Sequence, residues 1–128
     1  MHWVIATNEQ VGAGIRNAVD RVKARGAIVE GNSFVEYVRP DVFIMVARAD
    51  DLKSKASARR ALSNVSAYYF SGDIAPDAEE LGSALRHLHP NRASGDIPVF
   101  TRRSLVELAT LLQGLTAEKT IRVSGKPS

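Results

Sequence analysis

The feature that most constrains this chain is a pair of short apolar runs, each punctuated by charge and by glycine or proline. Ala27-Ile28-Val29 runs directly into Glu30-Gly31-Asn32-Ser33, and Arg39-Pro40-Asp41 leads into Val42-Phe43-Ile44-Met45-Val46. Both runs have strand length. The second is apolar at every position, the pattern of a strand covered on both faces in a parallel sheet, and it is therefore expected at the sheet centre. The first would carry an acid and a glycine to the carboxyl edge, where open α/β sheets bind ligands. Glu30 is thereby predicted as an edge carboxylate.

The remaining chain continues the alternation of short apolar runs with amphipathic stretches. Residues 2–6 read as a first strand, and Asn8 as the cap of a helix with Val11, Ile15, Ala18, Val19 and Val22 on one face, stopped by Gly26. Residues 27–29 form the second strand. Residues 33–38 make one or two helical turns, closed by Pro40, which disfavours a helical Arg39. Residues 42–47 form the third strand, 51–62 a basic helix, and 67–70 a fourth strand ending in Ser71-Gly72-Asp73. Pro76 suits the first turn of a helix reaching His89, with Asp77, Glu79 and Glu80 near its positive end. Residues 91–96 read as loop, and 98–100 as a last strand at a sheet edge, since proline cannot donate a ladder bond. Thr101 or Ser104 opens a final helix with Leu105, Leu108, Ala109, Leu112 and Leu115 inward. The expectation is a three-layer α/β fold, a mostly parallel sheet with helices on both faces. It forms a single domain over residues 1–116, followed by a flexible tail at 117–128.

Composition narrows the functional classes. A chain of 128 residues that is 45% hydrophobic can bury a core of its own. It has no cysteine, which excludes disulfides and thiolate metal sites. No apolar run approaches the roughly 20 residues of a membrane span, and no basic amino-terminal region leads into a long apolar stretch, so a cytoplasmic protein without membrane contact is expected. The net charge of +3 is spread among interspersed acids and bases, which argues against a nucleic-acid footprint.

Taken together, several segments resemble the carboxyl-terminal half of P-loop NTPases related to molybdopterin-guanine dinucleotide biosynthesis protein B. They are Trp3-Val4-Ile5, Ile28-Val29-Glu30 entering Gly31-Asn32-Ser33, Pro40-Asp41 before the run 42–46, Lys55-Ala56-Ser57-Ala58-Arg59-Arg60, and Ile97-Pro98-Val99-Phe100. The resemblance covers nearly the whole chain. It implies a truncated P-loop NTPase-like sheet with Glu30 in the Walker B position toward magnesium, a guanine or adenine nucleotide as ligand, and a link to molybdenum-cofactor maturation. The sequence departs from that pattern in having no G-x-x-x-x-G-K-[ST] loop; the terminal Ser124-Gly125-Lys126 follows no strand and opens no helix. Magnesium and nucleotide are accordingly expected only if a partner supplies the phosphate loop, and autonomous hydrolysis is not expected.

Each candidate residue has a functional and a plainer reading. Glu30 is a magnesium-directed acid or a strand-end acid capping the next turn. Gly31, Asn32 and Ser33 offer backbone amides to an anion, while Asn32 or Ser33 equally caps the following helix. Arg102 and Arg103 open the last helix, where the macrodipole disfavours positive charge; this marks an anion site or two tolerated exposed arginines. Lys53, Lys55, Arg59 and Arg60 read as a solvated face, and Ser71-Gly72-Asp73 as a turn, since it does not spell the N-K-x-D signature of guanine recognition. His87 and His89, two apart on a helix, diverge, and Trp3 packs or covers an edge.

In the resembled fold the phosphate-loop strand lies beside the Walker B strand. Without it an apolar parallel strand exposes unpaired N–H and C=O groups, so a homodimer or a partner subunit completing the sheet is expected, with a monomer that closes the sheet by rearranging its strand order as the rival. A non-catalytic α/β interaction or regulatory module stands as the alternative function. A receiver-like domain is disfavoured, because no acidic pair follows residues 3–6.

Overall fold

A computed structural model describes residues 4–53, 55–91 and 96–123. Among the described residues the fold is α/β, with a small parallel sheet of three strands and four α-helices. It divides into two compact units, Met1–Pro40 with Lys55–Asn64, and Asp41–Ser54 with Val65–Ser128. Among the described residues, no helix is long and apolar enough to cross a membrane.

The first unit is helical and irregular. Helix α1 (Val11–Asp20) turns its half-buried Val11, Ile15, Ala18 and Val19 inward at helical spacing. Gly12 lies so close to Tyr37 that an added Cβ would sit 2.6 Å from the ring. The helix begins after Gln10 rather than at an Asn8 cap and stops at Asp20, short of Gly26. A 3₁₀ segment (Asn32–Glu36) packs against α2 (Ala56–Ala61), whose Arg60 donates to Glu36 at 3.0 Å. The basic helix expected over 51–62 is thus confined to its second half. No side chain caps its first turn, because Lys55 stands at the N-cap.

Two expected strands are absent among the described residues. Residues 4–6 and 27–29 have no strand pairing; Ile5 and Ile28 are fully exposed. Three apolar residues carry too few ladder bonds to hold an extended conformation unless a neighbouring strand pairs with them. His2, Trp3 and the terminal Gly125-Lys126 lie outside the described residues, as do Arg92 to Gly95 of the expected loop.

The second unit holds the sheet, in the order β1-β2-β3, with β1 (Ile44–Ala47), β2 (Ala67–Phe70) and β3 (Val99–Thr101) all parallel. The run at 42–47, expected at the centre, is therefore an edge strand, because neither upstream run forms a strand beside it. β2 is central instead. β3 sits at the other edge, as Pro98 predicts: proline has no N–H to give, and its carbonyl accepts from the Tyr68 amide at 3.0 Å.

Side-chain alternation sets the faces. Met45, Tyr68 and Val99 are in register, as are Ala47, Phe70 and Thr101, and these rows share one face. Ile44, Val46, Tyr69 and Phe100 share the other. Tyr68 and Phe70 are the largest fully buried side chains, stacked with ring centroids 5.7 Å apart. Tyr68 is also hydrogen-bonded through its hydroxyl to His89 Nε2 at 2.7 Å, which satisfies the one polar atom of a buried ring.

Helix α3 (Ala78–Leu88) places Ala84 and Leu85 in this core. Its start is a capping box. Asp77 accepts from the Glu80 amide and Glu80 from the Asp77 amide, both at 2.8 Å. Helix α4 (Leu105–Val123) follows a 3₁₀ turn, Arg102–Ser104. Leu108, Leu111 and Leu115 are its half-buried stripe, whereas Leu105, Ala109 and Leu112, expected inward, are exposed. Leu105, Val106, Leu108, Ala109, Leu111, Leu112 and Leu115 spread apolar surface over a wide arc of α4, so periodicity alone does not choose which part of it is buried.

Candidate functional site

Because the three strands are parallel and Ala47, Phe70 and Thr101 lie in one row, their outgoing loops leave from a single carboxyl edge. That edge collects Arg48, Asp50 and Asp51 after β1, Ser71, Gly72 and Asp73 after β2, and Arg102 and Arg103 after β3. This is the position where an open α/β sheet presents its ligand-binding groups.

Backbone chemistry shapes each loop. The Ser71 amide donates to the Ala47 carbonyl at 2.8 Å, tying the ends of β1 and β2 together. Gly72 has φ 153°, and a Cβ there would also crowd the Ile74 carbonyl at 3.3 Å, so glycine is required for the turn. Beyond it, the Asp73 carbonyl accepts from the Arg102 guanidinium. At β3 the Thr101 hydroxyl accepts from the Arg103 amide at 3.2 Å, and the Ser104 hydroxyl accepts from the Thr101 amide at 2.9 Å. Arg102 is thereby held toward the β2 loop. Arg103 is exposed, and its guanidinium makes no hydrogen bond or ion pair among the described residues.

Arg48 forms a two-point ion pair with Asp50, at 3.0 and 2.9 Å. The hydrogen bond to Arg48 holds the Asp50 carboxyl below its ordinary value, and Asp50 in turn raises the Arg48 guanidinium, with smaller contributions from the charges of Asp51 and Asp73. The pair is solvent-exposed, so its worth to stability is small. An open groove of about 380 Å³ lies between the loop after β1 and the start of α3, lined among others by Ala49, Leu52, Asp77, Glu79, Ser83 and His87. Its acids repel an anion, and the edge is accordingly polar in two senses: acidic beside α3, basic beside α4.

The predicted site residues are divided between the two units. Arg102 and Arg103 lie at the sheet edge. Glu30, Gly31, Asn32 and Ser33 belong to the other unit, and Glu30 follows a segment that is not a strand, so the sheet-edge placement derived for it is not formed. Glu30 is exposed, and Gly31, at φ 136°, is the N-cap of the Asn32–Glu36 turn. Neither Asn32 nor Ser33 provides a side-chain cap: the cap position is occupied by glycine, which has no oxygen to offer. Among the described residues no three His, Asp or Glu side chains converge to hold a metal ion.

Of the basic cluster, Arg60 is paired with Glu36, and Lys53, Lys55 and Arg59 are exposed. His87 lines the acidic groove while His89 turns to Tyr68. Sequence reasoning passed over Arg48 and the Tyr68–His89 bond, which depend on strand register. It also passed over the capping box, although Asp77 and Glu80 stand at the D-x-x-E spacing that signals one. No family model, curated protein or solved structure matches the chain.

Proposed function

We propose that this chain is a nucleotide-binding module of P-loop NTPase-like character, in the vicinity of molybdopterin-guanine dinucleotide biosynthesis, without hydrolytic activity of its own. The observation that carries the reading is the pair of arginines at the carboxyl edge of the sheet. Arg102 is oriented by the Asp73 carbonyl, and Arg103 is left unpaired at the entrance to α4. Two guanidinium groups beside the amides of a helix start are suited to phosphate oxygens. The chain itself contains no G-x-x-x-x-G-K-[ST] loop, so the remaining phosphate contacts come from a partner. Hydrolysis needs positioned water and charge stabilisation on the transferred phosphoryl group, and neither is available from exposed arginines alone.

Calorimetric titration of the chain with GTP, ATP and inorganic triphosphate tests this. Binding is expected to be weak and governed by phosphate charge. The double variant Arg102→Ala, Arg103→Ala is expected to weaken it about tenfold or more, since a hydrogen bond to a charged group contributes about 1.5–3 kcal/mol. Unchanged affinity in that variant, or magnesium-dependent turnover lost in Glu30→Gln, would overturn the reading. A second reading, a non-catalytic α/β interaction module, is favoured by the open edge of β1.

A further inference from the structure

β1 pairs with β2 and with no other strand among the described residues. The hydrogen bonds fix which of its backbone groups are used. The Phe43 carbonyl accepts from Ser66 and Ala67, the Ala47 carbonyl accepts from Ser71, and the Phe43 amide donates to the Ser66 hydroxyl. In a parallel ladder alternate residues address opposite neighbours, so Ile44 and Val46 direct their N–H and C=O groups away from β2. The Val46 side chain is 65% exposed. Nothing from Val42 to Ala47 guards this edge, for the segment contains no charge and no proline.

We infer that this edge pairs with β1 of a second copy, antiparallel, about a two-fold axis at Met45. The edge is self-complementary in that arrangement. Ile44 of one copy faces Val46 of the other, and each such pair exchanges both of its free N–H and C=O groups. The same pairing sets Val46 against the partner's Ile44 on one face, a β-branched cross-strand contact of the kind that stabilises sheets. The backbone selects the direction. Only in the antiparallel arrangement do Ile44 and Val46, the two residues whose groups point away from β2, meet each other and exchange both groups in one isologous contact. The result is one sheet continuous through both copies. This inference is independent of the nucleotide reading, and the two fail separately.

Light scattering on the purified chain should return the mass of two copies, and Val46→Lys should return that of one with an unchanged circular dichroism spectrum. The absence of cysteine allows a direct test of register. A mixture of Ile44→Cys and Val46→Cys chains should cross-link under mild oxidation, since opposed residues lie about 5.5 Å apart at Cα, within disulfide range. Val46→Cys alone should not, because diagonal neighbours lie about 7–8 Å apart. A one-copy mass for the unmodified chain at its highest soluble concentration would overturn the inference. Ready self-cross-linking of Val46→Cys without cross-linking in the mixture would overturn the proposed register.

Discussion

Two apolar runs of almost equal promise have opposite fates in this molecule. Ala67-Tyr68-Tyr69-Phe70 is the central strand, paired on both sides, with Tyr68 and Phe70 wholly buried. Ala27-Ile28-Val29 has the same strand-like composition and ends, as the other does, in a glycine and an acid. It pairs with nothing among the described residues, and Ile28 lies fully in solvent. The difference is not intrinsic preference. A strand's free energy comes from the ladder bonds and side-chain contacts it makes with its neighbours, so an apolar run without a neighbour gains little from being extended. β1 stands between the two cases, satisfied on one edge and open on the other.

The contrast can be sharpened by substitution. Phe70→Ala should have the largest effect, a loss of about 3–5 kcal/mol in denaturant unfolding, because it empties a fully buried site beside Tyr68. Asp77→Ala should cost about 1 kcal/mol, by removing the capping box from the helix that contributes Ala84 and Leu85 to the same core. Ile28→Asn should change stability by less than about 0.5 kcal/mol, as for an exposed position away from packing. Amide hydrogen exchange would break the comparison outright if residues 27–29 proved as slow as 67–70. Fast exchange at 27–29 with slow exchange at 67–70 is the expected result.

The same physics explains how much was legible in advance. Periodicity and punctuation located 67–70, the short strand after Pro98, the body of the helix that ends at His89, and the helix entered at Thr101, because each depends on local cues that the structure keeps; Pro76, expected in a first turn, instead precedes the Asp77 cap. The register of the α4 stripe escaped it, since α4 is apolar over a wide arc and its own sequence does not choose the face that packs. At the candidate site, Arg102 and Arg103 were visible as charges placed against a helix dipole. Arg48 was not, for only the parallel alignment of Ala47, Phe70 and Thr101 brings the loop after β1 beside theirs. Glu30 illustrates the converse: its sheet-edge placement followed from a strand that required a partner.

By itself, then, the sequence determined the α/β class, the absence of disulfide and thiolate chemistry, the lack of a phosphate loop, and the approximate places of the helices, though not their limits. These follow from residue type and spacing, which act over a few positions. Tertiary structure alone decided that β2 rather than β1 is central, that the run at 27–29 is not a strand, and that Arg48, Ser71 and the two arginines share one edge. Those outcomes turn on which backbone finds a partner across many intervening residues, and a hydrogen bond between strands carries no mark in either strand's own sequence.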